Sequence, residues 1–290
     1  MKILVLGGNG MIGHQLYKSW RDNHDVRVTL RKSLNEYEAY KVFRKNDVFE
    51  NIEIKNIYLI ENIINEFSPD VVVNAIGITK QNIENDYLIT KKINSEFPHL
   101  LGELCNNKSI RLIHLSTDCV FSGKRGNYKI NDIKDADDTY GISKAKGELE
   151  LPNVLTIRKS TIGFELENKH GLLEWFLKQT GTVNGYTNAI FTGMTTRELA
   201  KKLLYIIECQ KNLTGIWHLT GEKIDKYSLL KKIKKIFKLK NVNVIPFPKF
   251  RCDRSLNGEE ITKAFSYKTP QWDDMLEELY ANEINNYENS

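Results

Sequence analysis

A tyrosine followed four positions later by a lysine places a phenol and an ammonium one helical turn apart on one face. There the cation can lower a phenol pKa from its usual value of about 10 and let it donate a proton. Four pairs in the 290-residue chain have this spacing: Tyr37/Lys41, Tyr87/Lys91, Tyr140/Lys144 and Tyr227/Lys231. Context separates them. Tyr140 lies 23 positions after Thr117 of Ser116-Thr117-Asp118, a small polar cluster closing the apolar run Ile110 to Leu115. Ligands of parallel α/β sheets bind at such C-terminal strand ends. A second group of residues suits an anion. Gly7, Gly10 and Gly13, with Gly8 additional, stand between the apolar run Lys2 to Leu6 and a helix starting near Met11. Glycines at a strand–helix junction allow a tight turn, close backbone approach to a pyrophosphate and close packing of helix on strand, as in a dinucleotide site.

Positioning these groups requires a sheet. Lys2 to Leu6, Val26 to Leu30, Val71 to Ala75, Ile110 to Leu115, Val154 to Ile157 and Ile216 to Leu219 read as strands. Helical patterns such as Glu61 to Phe67 and Tyr87 to Cys105 lie between most of them, and strands alternating with helices indicate a parallel sheet. The unbroken run Val71-Val72-Val73 indicates strands covered on both faces. The expected class is α/β, a doubly wound parallel sheet of Rossmann type. After about residue 163 the alternation loosens into segments such as Trp175-Phe176 and Tyr186 to Phe191. The reading is a dinucleotide-binding domain over residues 1–163, joined by a returning strand near 216–220, and a smaller, partly interleaved substrate domain over 164–290.

Composition narrows the partners. Hydrophobic residues at 41% and charged residues at 27%, with no low-complexity run, exclude disorder. The net charge of +5 is well mixed along the chain, which suits anionic small ligands better than nucleic acid. One basic stretch, Leu229 to Lys240, has Leu229, Leu230, Ile233, Ile236 and Phe237 at helical spacing, and reads as a solvated helix face. The four cysteines form no C-x-x-C pair, so reduced thiols and no metal site are expected. No apolar run approaches the roughly 20 residues of a membrane span, and a cytoplasmic protein is expected. Where the second strand should end, Arg31-Lys32-Ser33 offers no acid for a ribose 2′-hydroxyl but two cations for a 2′-phosphate. NADPH is therefore favoured over NADH.

Three separated motifs add to this reading. They are Leu6-Gly7-Gly8-Asn9-Gly10-Met11-Ile12-Gly13, Ser116-Thr117-Asp118-Cys119-Val120-Phe121-Ser122-Gly123 and Tyr140-Gly141-Ile142-Ser143-Lys144-Ala145-Lys146-Gly147-Glu148. In this order and spacing they resemble the extended short-chain dehydrogenase/reductases, in the branch of the dTDP-4-dehydrorhamnose reductases. The resemblance is strong over residues 1 to about 163 and general beyond. It implies that Tyr140 protonates a substrate ketone, that Thr117 hydrogen-bonds the same oxygen, and that Lys144 binds the nicotinamide ribose and tunes Tyr140. Gly7, Asn9, Gly10, Met11 and Ile12 would line the cofactor, with Asn74-Ala75 after the fourth strand and Asn94 on the following helix. Asn56, near the expected end of the third strand, stands where many relatives place an acid against adenine. Asp118, Cys119 and Arg158 would face substrate, and Arg254 in Cys252-Asp253-Arg254-Ser255-Leu256 would hold the nucleotide, with Arg251 nearby; structural hydrogen bonding is the equal alternative for Asn94 and Arg158, and pairing with Asp253 or another surface carboxylate the alternative for Arg254. Relatives usually have tyrosine where Cys119 stands, which removes a hydroxyl from the pocket and leaves the sugar open. With no histidine in a base position, Cys119 itself reads as a small buried core residue.

The activity so implied is NADPH-dependent reduction of the C4 ketone of a UDP-, dTDP- or GDP-linked 4-keto-6-deoxy sugar, toward a surface polysaccharide precursor. Two alternatives stand beside it. A 4-epimerase or dehydratase would hold NAD tightly, against which Arg31-Lys32 argues. An NADP-binding regulatory subunit would have no use for Tyr140, Lys144 and Thr117 together. A homodimer is left open.

Overall fold

From the N-terminus, β1 (Lys2–Leu6) leads into α1 (Met11–Trp20), β2 (Asp25–Thr29), the short β3 (Val48–Phe49), α2 (Ile57–Phe67) and β4 (Val71–Asn74). The structure is a computed structural model and describes residues 1–79, 87–265 and 267–288. One helical stretch follows β4: α3 (Tyr87–Lys91), a π turn over Lys92–Glu96 and α4 (Phe97–Asn107). After β5 (Arg111–Leu115), α5 (Thr139–Lys146) and β6 (Val154–Arg158), the chain leaves through β7 (Thr161–Ile162), α6 (Leu172–Leu177), β8 (Gly181–Phe191) and β9 (Met194–Thr195). It returns through α7 (Thr196–Cys209) to β10 (Gly215–His218).

Strands β1 to β6 and β10 form one parallel sheet in the order β10-β6-β5-β4-β1-β2-β3. This is the doubly wound class expected from the alternating pattern. Each central strand divides its residues between two cores, because successive side chains point to opposite faces. Ile3, Val5, Val71, Val73, Ile113, Leu115, Leu155 and Ile157 face the core built with α1 and α7, where Leu16, Trp20, Leu199 and Leu203 are buried. Leu4, Leu6, Val72, Leu112 and Val154 face the other, built with Ile60, Ile64 and Phe67 of α2 and Leu101 and Cys105 of α4. The valine triplet of β4 is thus read correctly as covered on both sides. The strand order reverses between β1 and β4, and a crevice at their C-terminal ends is the ligand position for such a sheet.

The remaining elements are β11 (Ile224–Asp225), α8 (Lys226–Ile236), β12 (Val242–Asp253), α9 (Glu259–Ala264) and α10 (Trp272–Glu288). β8 pairs in parallel with β12 and antiparallel with β11. Leu229, Leu230 and Ile233 of α8 are buried, while Lys231 stacks over the Tyr227 ring and Lys232 pairs with Asp273, giving the solvated basic face that the sequence suggests. Among the described residues no helix is long and apolar enough to cross a membrane.

Candidate active site

The N-terminus of α5 is built to bring a phenol against β5. Asp138 caps the helix, its carboxylate accepting from the Gly141 N–H at 2.7 Å. A Cβ at Gly141 would lie 2.2 Å from the Cys119 carbonyl oxygen, so only glycine lets α5 close on the turn over Asp118–Val120. That approach brings the Tyr140 phenol beside Thr117. Thr117 also donates to Asp118 Oδ1 and accepts from the Cys119 N–H, both at 3.1 Å, which fixes its rotamer. One turn along α5, Lys144 is buried and donates from Nζ to the Leu115 carbonyl at 2.8 Å. The π turn holds α5 from behind. Its extra residue per turn sets Asn94 and Ser95 side by side, donating to the Ser143 hydroxyl at 3.0 Å and carbonyl at 2.8 Å. The Asn94 amide also closes on both backbone groups of Ile78, fixing the segment that follows β4.

Burial shifts the titration of each group of the site. Burial above all, with Cys119 and Asp118 adding, pushes the Tyr140 phenol up, so it holds its proton at neutral pH. This differs from the sequence expectation that Lys144 lowers it. The ammonium turns to the Leu115 carbonyl, and desolvation wins. Burial, with Lys159 adding, lowers Lys144 to about 7. The Cys119 thiol is pushed up to about 12, chiefly by burial and then by Asp118, which leaves it no nucleophile. Burial also raises Asp118, against Arg254, Thr117 and Lys159.

The glycine turn fits a dinucleotide phosphate. A Cβ at Gly13 would lie 2.1 Å from the Gly7 carbonyl oxygen, so α1 could not start this close to β1 with any other residue there. Gly10 caps α1 with no side-chain hydrogen bond, and no acid stands in its first turn, so no side chain of the cap or first turn competes for the N–H groups of Met11 and Ile12. At the end of β2, Arg31 Nη2 and Lys32 Nζ lie 3.8 and 3.2 Å from the carboxylate of Glu167, which Asn9 Nδ2 also contacts at 2.9 Å. Two cations and an amide there already hold an anion. Ala75 sits half-buried on the turn after β4, its N–H donating to the Leu6 carbonyl.

Three expectations need correction. β3 ends at Phe49 rather than near Lys55, and Asn56 instead caps α2, its amide oxygen accepting from the Tyr58 N–H at 3.0 Å. Asn74 is fully buried, bonding His114 Nδ1 and the Ile76 N–H, so it shapes the turn without facing the crevice. Arg158 is 2% exposed and makes a two-pronged pair with Glu148, Nε to Oε1 and Nη2 to Oε2, both at 2.8 Å. Its Nη1 donates to the Ile130 carbonyl at 2.8 Å and lies 3.2 Å from His218 Nε2, so the guanidinium is turned into the protein interior. Arg254 lies against the turn that follows β5, its Nε donating to the Phe121 carbonyl at 2.9 Å and its Nη2 lying 3.7 Å from Asp138.

Two residues escaped the sequence reading. Lys159, one position past Arg158, is half-buried and influences Asp118, Cys119 and Lys144; burial lowers it to about 8. The rule that sites lie just beyond parallel strands points to this position. Glu167 carries no local signal, because its partners lie some 130 to 160 positions away.

The depressed Lys144 pKa predicts a pH dependence. Ribose hydroxyls accept from an ammonium and favour the charged form. Dinucleotide affinity should therefore be full below pH 7 and fall as pH rises through about 7, with proton uptake on binding near neutrality. Calorimetry in buffers of different ionisation enthalpy measures that uptake, and Lys144→Met should abolish it. Binding with no uptake in the wild type would show that Lys144 stays unchanged by the ligand.

Relatives share this architecture. A dTDP-4-dehydrorhamnose reductase of Aggregatibacter actinomycetemcomitans is 28% identical over 232 residues, 76% of this chain and 74% of that protein. The methionine adenosyltransferase 2 subunit beta of Danio rerio is 23% identical, over 84% of this chain and 76% of its own. Among solved structures, a hypothetical dTDP-4-dehydrorhamnose reductase from Sulfolobus tokodaii superposes with a TM-score of 0.76 at 26% identity, covering 94% of this chain and 98% of that one. The family model described as RmlD substrate binding domain matches residues 1–284, nearly the whole sequence, and the chain belongs to that family.

Proposed function

We propose that this chain is an NADPH-dependent reductase of the C4 ketone of a nucleotide-activated 4-keto-6-deoxy sugar. The observation that carries the reading is the close approach of α5 to the end of β5, where Gly141 packs on the Cys119 carbonyl, Tyr140 lies beside Thr117 and buried Lys144, one turn along, donates to the Leu115 carbonyl. NADPH, when bound, supplies the hydride. Tyr140 holds the proton that the ketone oxygen takes up, and Thr117 donates to the same oxygen as charge develops on it. Lys144 orients the ribose, while Gly7, Gly10, Met11 and Ile12 offer backbone to the pyrophosphate and Arg31 and Lys32 pair the 2′-phosphate.

Arg254 is assigned to the substrate diphosphate, whose charges suit a guanidinium that only a 3.7 Å pairing with Asp138 engages at its terminal nitrogens among the described residues. The names of the relatives favour a dTDP-linked sugar. Residues 1–163 with β10 serve the cofactor in this reading, and 164–290 chiefly the substrate. The four free cysteines suit a reducing compartment such as the cytoplasm. The beta-subunit relative keeps a regulatory role in view, but such a role would leave Tyr140 and Thr117 without a task.

The test is NADPH oxidation by the purified protein with dTDP-, UDP- and GDP-linked 4-keto sugars, with NADH in parallel. Consumption is expected only when a keto sugar is present, and Arg254→Ala should raise KM for it without changing NADPH affinity. Sugar interconversion without net cofactor consumption would instead establish an epimerase.

A further inference from the structure

We propose that Glu167 sets the cofactor preference of this site, its carboxylate occupying the place of the 2′-phosphate on Asn9, Arg31 and Lys32. The proposal rests on the reading of the glycine turn as the cofactor site. NADPH must then exchange one anion for another, whereas NADH need not.

The placement of Glu167 is built into the chain. It lies between β7 and α6, in a loop whose Phe164 and Leu166 are buried in the larger core. The loop is closed by the Glu165 carboxylate, which accepts from the N–H groups of His170 at 2.7 Å and Gly171 at 3.2 Å. With Leu166 anchored inward, Glu167 reaches across to the junction of the glycine turn and β2. There Asn9 Nδ2 donates to Oε2 at 2.9 Å, Lys32 Nζ to Oε1 at 3.2 Å and the Tyr37 hydroxyl to Oε2 at 3.5 Å. Arg31 Nη2 lies 3.8 Å from Oε2. Tyr37 is buried, and burial followed by Glu167 pushes its phenol up to about 12, so it stays a donor. Four donors from three separate segments thus converge on one carboxylate.

The charges decide what this does. A 2′-phosphate carries close to two negative charges and seeks the cations that Glu167 already neutralises. At van der Waals distance the two anions repel, and the carboxylate must withdraw. The ion pairs involved are part-exposed, with Arg31 63% and Lys32 43% accessible, so they are weak enough to be displaced. A ribose 2′-hydroxyl, in contrast, is a donor that the resident carboxylate can accept without moving. Glu167 therefore narrows the advantage that Arg31 and Lys32 give to NADPH, and replaces the acid missing at the end of β2 with one from a distant loop.

Calorimetric titration of the full chain and of Glu167→Gln tests this, with NADPH, NADH, adenosine 2′,5′-bisphosphate and 5′-AMP as ligands. The variant should bind NADPH and the bisphosphate about tenfold more tightly, with NADH and 5′-AMP unchanged or weaker. Adding Arg31→Ala should remove the gain. Because the preference is a ratio measured on one preparation, partial loss of folded protein does not alter it. Equal changes for both cofactors, or none, would overturn the assignment of Glu167 while leaving the cofactor site intact. Failure of the wild type to bind either dinucleotide would overturn both together.

Discussion

Tyr140→Phe is expected to lower turnover by roughly two to four orders of magnitude, the usual loss when a positioned general acid is removed. The phenol lies beside Thr117, just past the end of β5, and burial keeps it protonated across the neutral range. Phenylalanine preserves the ring and its packing but leaves Thr117 as the sole hydroxyl of the pair. NADPH affinity should stay within about twofold, because the cofactor contacts assigned to Lys144 and the glycine turn are untouched. Single-turnover hydride transfer at saturating cofactor, together with calorimetric NADPH binding, separates the two effects. Turnover within about tenfold of wild type would remove Tyr140 from the chemistry and point to a solvent proton positioned by Thr117.

The second large effect concerns stability. Arg158→Leu should cost about 3 to 5 kcal/mol, because it strands the Glu148 carboxylate in a buried site. In a protein of this size that lowers the melting temperature by about 10 °C. Among the described residues Glu148 would keep the Ser116 hydroxyl at 2.7 Å and the Lys134 ammonium at 3.2 Å. A double variant, Glu148→Leu with Arg158→Leu, should recover much of the loss, since an apolar pair has no charge to desolvate. KM for the sugar nucleotide measured on the folded fraction of the single variant should match wild type. A raised KM with unchanged melting would return Arg158 to the substrate pocket.

Arg158 also shows where the sequence stops being informative. The strand and its C-terminal end could be read from Val154 to Ile157. Which of two adjacent cations faces the crevice could not, because successive side chains at a strand end point to opposite sides. Arg158 turns inward to Glu148, while Lys159 lies beside Asp118, its carbonyl accepting from the Asp118 N–H at 3.2 Å. Local motifs fared differently. Tyr140, Lys144 and Thr117 are fixed by short-range rules of helix capping, glycine approach and strand termination, so their meeting could be anticipated. Asn56 was misplaced because β3 is only two residues long and Glu53 to Asn56 carry no turn signal strong enough to separate strand from cap. Glu167 depends on tertiary geometry alone, and no pattern in its neighbourhood announces it.

The position of β10 has a further consequence during synthesis. Ribosomes release β1 to β6 first, yet the open edge of β6 finds its partner only when Gly215–His218 emerges. Until then the apolar face of α1 also lacks α7, and the Trp20 indole lacks the Ala200 carbonyl that it bonds at 3.1 Å. A nascent chain in that interval presents an unpaired parallel strand beside exposed aromatic surface, the combination most prone to association with other chains. A fragment ending near residue 163 would carry Tyr140, Lys144 and the glycine turn, but it would do so on an unfinished sheet. The sheet that carries Tyr140, Lys144 and the glycine turn is complete only after translation has passed residue 218, so its closure waits on the excursion through β7, β8 and β9.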